Sequence, residues 1–155
     1  MLIRRLSLLC LTFGLIIWAA DKPNFTGTWK LNTSKSDFGP APGPDSLTRE
    51  VKHDDPNIQI KTTQSGPQGS AVTEAKWTTD GKESVNSTPR GEVKGSMKWD
   101  GDTLVHQYKV NTTQAGEIAI EDRWKLAEEG KVMDVKSKIS GGFGEFERKM
   151  VLEKQ

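Results

Sequence analysis

Arg148 stands in the run Phe146-x-Arg148-x-Met150-x-Leu152, where every second residue is apolar except this one cation. In a strand that alternation turns all four side chains to one face. An uncompensated charge on a buried face is expensive, so the guanidinium needs a compensating partner. Arg49, between Leu47 and Val51, repeats the arrangement. It reads first as a solvated rim residue and second as a source of charge for a bound head group. Asp122 shares a face with Trp124 and is expected to pair with Arg148 or Arg49. His106 lies with Leu104, Tyr108 and Val110; a single inward histidine is a hydrogen-bonded core residue before it is a base. The Tyr108 hydroxyl is better placed to meet a polar head group.

Catalytic machinery does not assemble from what remains. The only cysteine, Cys10, lies in an apolar leader, and there is no Gly-x-Ser-x-Gly elbow or Gly-rich phosphate loop. His53-Asp54-Asp55 abuts Pro56, and Asp100-Gly101-Asp102 carries a central glycine; both read as hairpin turns before they read as metal sites. The expectation is binding without chemistry: no enzyme, no cofactor and no metal.

Residues 1–20 look like an address. Arg4 and Arg5 precede an apolar stretch from Leu6 to Ala20, too short for the roughly 20 residues of a membrane span. A signal peptide over 1–20 and one domain over 21–155 are expected, with the product secreted or periplasmic and the mature chain not inserted in a membrane. Removing Arg4 and Arg5 leaves 20 basic against 21 acidic side chains, a net charge of −1. Lysines and glutamates alternate along the chain and form no basic patch, which argues against nucleic acid. A monomer is expected.

The elements that must position the inward residues are strands. Period-two alternation bounded by turn residues predicts ten: 25–32, 47–54, 57–65, 71–79, 82–88, 92–99, 103–112, 117–127, 131–139 and 144–153. Asp54 to Asn57, Asp80-Gly81, Asp100-Gly101 and Glu129-Gly130 suit tight turns. The intervening connections, beginning with the Pro/Gly-rich segment from Asp37 to Asp45, read as long loops. In an up-and-down barrel the two sets fall at opposite ends, a tight end and a loose mouth. Trp29, Trp77, Trp99 and Trp124 should gather at the tight end.

Gly27-Thr28-Trp29 in an opening strand, and Trp99-Asp100-Gly101-Asp102-Thr103-Leu104-Val105-His106, resemble the calycin superfamily, the lipocalins and fatty-acid-binding proteins. The whole is similar to bacterial lipocalin-like secreted proteins, with a C-terminal half resembling the fatty-acid-binding proteins. The resemblance implies an all-β, antiparallel up-and-down barrel of about ten strands. It implies for Arg148 either a structural cation packed over Trp29 or an anchor for a ligand carboxylate; Met150 stands where the Arg-x-Tyr pattern would have a tyrosine. The helical lid of fatty-acid-binding proteins has no counterpart, because Phe38 to Asp45 is too rich in Pro and Gly.

Small inward residues, Thr73, Ala75, Gly95 and Ser137, are expected to leave room inside. The expected ligand-binding set is Arg49, Met97, His106, Tyr108, Ile118, Ile120, Phe146 and Arg148. The function that follows is carriage of a small hydrophobic molecule, its head group a carboxylate in one version. The alternative is a protein-interaction or inhibitor module that uses long mouth loops on a filled barrel. Asn24, Asn32, Asn86 and Asn111 each begin an Asn-x-Ser/Thr triplet, which composition alone also explains.

Overall fold

A computed structural model describes residues 22–67, 69–89, 91–112 and 116–155. The signal-peptide reading of residues 1–20 lies outside them. Ten strands follow in order: β1 (Gly27–Leu31), β2 (Ser46–Asp54), β3 (Asn57–Gly66), β4 (Gly69–Thr78), β5 (Asp80–Thr88), β6 (Gly91–Asp100), β7 (Thr103–Thr112), β8 (Gly116–Ala127), β9 (Val132–Gly141) and β10 (Gly144–Lys154). Short 3₁₀ turns at Thr33–Lys35 and Glu128–Gly130 are the only helical segments among the described residues. All ten strands stand within a few residues of the bounds that alternation predicts.

The strands form one antiparallel sheet in the order β4-β3-β2-β1-β10-β9-β8-β7-β6-β5. Sequential neighbours pair everywhere except between β4 and β5, and β1 pairs with β10 to bend the meander into a nearly closed barrel. The two outer strands, β4 and β5, share no ladder. One side chain spans their seam: the Asn86 amide accepts from the Lys76 N–H at 2.7 Å and donates to the Lys76 carbonyl at 3.0 Å, as a paired strand would.

The tight end is as expected, and the loose end is not. Gly66 faces Gly69, Thr88 faces Gly91 and Gly141 faces Gly144 across their hairpins, so two residues make each of these connections. Pro and Gly there act as turn residues and do not mark long loops. The single long connection among the described residues is the one after β1. It pairs Asp37 with Lys149 of β10, then crosses until Pro44 lies against Gly66. Because β1 is short, this strap fills the wall between β10 and β2, with Phe38 packed against the core.

Trp29, Trp99 and Trp124 gather around Phe25. Its carbonyl accepts from the Trp29 indole at 2.9 Å, and its ring lies 6.1 Å from Trp99 and 5.8 Å from Trp124. Trp77 belongs to the same buried core and lies 4.5 Å from His106. Phe25, Trp29, Leu104, Trp124, Met133 and Leu152 are fully buried, which closes this end. His53 braces it: its Nδ1 accepts from the Phe25 N–H, and its Nε2 lies 3.3 Å from Asp55, which also accepts from Thr79 and Trp99. The His53-Asp54-Asp55 segment is thus turn structure.

Towards the mouth the inward residues change character. Thr73, Ala75, Val93, Val110, Ile118, Ile120 and Phe146 are only half-buried although they face inward. Gly95 does not contribute the expected room. A Cβ placed there would lie 2.3 Å from the Gln107 carbonyl and 2.7 Å from the Tyr108 Cα, so this glycine lets β6 approach the backbone of β7.

Candidate ligand-binding site

Strand register sets a polar row across one wall. His106 of β7 faces Asp122 of β8, Asp122 faces Ser137 of β9, and Ser137 faces Arg148 of β10. The Ser137 hydroxyl donates to Asp122 at 2.5 Å and accepts from Arg148 Nε at 3.1 Å. The Tyr108 hydroxyl donates to the other Asp122 oxygen at 3.2 Å. Asp122 and Ser137 are buried, and each carboxylate oxygen has a partner, as burial of a charge requires.

Arg148 therefore belongs to this row and does not cap Trp29. The cation over Trp29 is Lys154, with Nζ 5.3 Å from the ring centre. Gly27 makes that possible, since a Cβ on it would meet the Lys154 stem at 2.7 Å. The Gly-x-Trp spacing thus serves a cation–π contact supplied by the last strand, but by a residue closer to its end than the alternation of Arg148 implied. Asp122 reaches Arg148 through the Ser137 hydroxyl; the pairing foreseen for it is indirect.

Arg49 comes from the opposite wall, on β2. It is not a solvated rim residue: only 9% of it is exposed. Its guanidinium carbon lies 4.7 Å from the centre of the Trp124 ring, and Nε donates to Thr62 at 3.4 Å. Burial holds its pKa below the usual arginine value; the Asp122 charge opposes this most, and Arg148 adds to it. Its Nη1 is buried and has no hydrogen-bond partner, and the same is true of His106 Nε2 and Trp124 Nε1.

His106 is packed between rings, 4.3 Å from Tyr108 and 4.5 Å from Trp77. Burial pulls its pKa down to about 4, with Asp122 opposing and Arg49 adding to the effect. Burial likewise raises the Tyr108 phenol well above its ordinary range, so it stays a donor to Asp122. With His106 neutral, this group holds two guanidiniums against one carboxylate. Its chemical capacity is to receive an anion and to offer further hydrogen bonds.

Of the other expected residues, Met97 is fully buried in the core, paired with His106, while Ile118, Ile120 and Phe146 face inward nearer the mouth. Ser137, Thr62 and the Trp124 shelf were not singled out for these roles. Register could have found Ser137, since it must face Asp122 once β8 and β9 pair. A depression of about 630 Å³ on the outer face of β6 to β9 is no competing site, because Lys94, Lys109 and Lys138 on its walls are already paired with Glu83, Glu117 and Glu145.

Solved structures resemble this arrangement of strands. A zebrafish ileal bile acid-binding protein complexed with cholic acid is similar at 20% identity and a TM-score of 0.58, over 84% of this chain and 98% of that one. What these structures share with the chain is the fold, an antiparallel up-and-down β-barrel. An abundant heat soluble (SAHS) protein of Ramazzottius varieornatus is similar at 14% identity and a TM-score of 0.60, over 84% of this chain and 94% of that one. The fatty-acid-binding protein of Manduca sexta is similar at 14% identity and a TM-score of 0.50, over 84% of this chain and 99% of that one. No protein-family profile matches the chain, and no curated protein sequence matches it.

Proposed function

We propose that this chain is an exported, monomeric carrier that holds a small apolar anion inside the barrel, with Arg49 as the charge partner and no chemistry performed on the ligand. The observation that carries the reading is the buried Arg49 guanidinium with an unpartnered Nη1. A donor left unpaired in a buried site costs about 1–3 kcal/mol, more for a charged group, and a bound carboxylate would remove that cost. Arg148 is already partly engaged, its Nε donating to Ser137 and so linked to Asp122. Ile118, Ile120 and Phe146 would line the apolar part of the site, with Met97 beneath, and Tyr108 and His106 beside the head group. That similar barrels are described as binding bile acid and fatty acid supports a carrier and not an enzyme. The apolar leader supports export.

The test is competition between hexadecanoic acid and hexadecanol for a barrel-bound apolar fluorescent probe. Wild type should prefer the acid by about tenfold or more. Arg49→Met should abolish that preference while the apo protein keeps or gains stability, because an unpaired buried charge has gone. Equal losses for acid and alcohol would show that Arg49 only shapes the barrel, and failure of the probe to bind would remove the carrier.

A further inference from the structure

His106 raises a question that one carboxylate does not answer. The ring is 7% exposed, is wedged between Trp77 and Tyr108, and leaves Nε2 buried without a partner. It sits in the same group as Arg49, which faces it from β2 closely enough to influence its charge, and as Asp122, which it faces in register. Asp122 is not the missing partner: its oxygens accept from Ser137 and Tyr108, and His106 Nε2 makes no hydrogen bond to it. The interior therefore presents three unpartnered buried polar atoms: a cationic donor at Arg49, a neutral ring nitrogen at His106 and, on the ring beneath Arg49, the Trp124 indole N–H. A plain alkyl acid fills the first and lays methylene groups against the second, leaving that nitrogen unpaired at a cost.

We infer that the ligand is an oxygenated apolar acid, carrying a hydroxyl in addition to its carboxylate, and that His106 Nε2 is the residue that selects for that hydroxyl. A hydroxyl both donates and accepts, so it satisfies the imidazole in either tautomer. The rings on both sides fix the imidazole plane, so little side-chain freedom is lost when the bond forms. Burial keeps His106 uncharged through the neutral range, and the site therefore does not become a second anion receptor. Sites built to hydrogen-bond a ligand hydroxyl reject analogues that lack it, because the protein group is then left unpaired. This inference rests on the carrier reading and adds to it the class of ligand.

The experiment compares hexadecanoic acid with a positional series of its monohydroxy derivatives, on wild type, His106→Phe and His106→Gln, by displacement of the same probe. The Phe variant keeps the ring stack and removes the nitrogen, whereas Gln keeps a donor and an acceptor. In wild type the best hydroxy acid should bind about tenfold tighter than its parent. That ratio should fall to about one in the Phe variant and stay above one in the Gln variant. If every member of the series matches the parent acid in wild type, the inference is wrong and the carrier stands; this arm needs no variant to fold. It is equally wrong if the Phe variant loses parent and hydroxy acid alike, for then the carboxylate itself is the partner of His106. If wild type binds neither acid, the carrier reading falls and takes the inference with it.

Discussion

At the scale of single residues, His106 gives the chain a pH signature that owes nothing to a ligand. Its ordinary pKa is 6.5 and burial lowers it to about 4 in the folded protein. Between those values the unfolded chain binds a proton that the folded chain refuses. Stability therefore falls as pH falls through that window, by roughly 3 kcal/mol once complete, and this contribution is flat below it. Of the groups around the ring, Arg49 adds to the lowering and Asp122 opposes it, while the Trp77 and Tyr108 rings cover the imidazole. His106→Phe should flatten the slope, which thermal melts of both proteins from neutral pH down to about 4 would reveal. Parallel curves would mean that water reaches the ring. Arg49 shows what alternation could and could not say at this scale. Its position between Leu47 and Val51 placed it on the inner face, but whether an inner-face residue is solvated or buried depends on the opposite wall, and Trp124 comes from more than seventy residues away.

Among elements, two close approaches are exposed to substitution. Asn86 substitutes for a missing ladder between β4 and β5, so Asn86→Ala removes two hydrogen bonds where a side chain replaces strand pairing. The expected loss is about 1–2 kcal/mol, with faster hydrogen exchange at the Lys76 amide and unchanged protection in β8 and β9. Unchanged exchange at Lys76 would show that the seam is held by something else. Gly95→Ala tests the other approach. Its Cβ would meet backbone atoms of β7, so β6 and β7 must part, at a cost of about 1–3 kcal/mol; a neutral result in urea unfolding would contradict the close contact. Strand existence was legible throughout because alternation and turn residues are local signals. Connection length was not, because Pro and Gly mark a two-residue hairpin and a long loop alike.

For the molecule as a whole, the strap after β1 completes the wall that short β1 leaves open. Asp37 is paired to Lys149 at one side, Pro44 reaches Gly66 at the other, and Phe38 packs inward between them. Phe38→Ala should cost about 2 kcal/mol in stability and speed the exchange of a bound apolar probe, measured by stopped flow. A stability loss with unchanged exchange would make the strap a wall and no door. The sequence by itself determined the strand count, the inward faces, the tight end and its tryptophans, because period-two patterning and turn chemistry act over a few residues. Only the tertiary structure decided which cation meets which ring and which buried atoms lack a partner. Lys154 covers Trp29, Arg49 covers Trp124, and Arg148 turns to Ser137. Those pairings depend on shear, on strand length and on the approach of opposite walls, and residues close in space there are far apart along the chain.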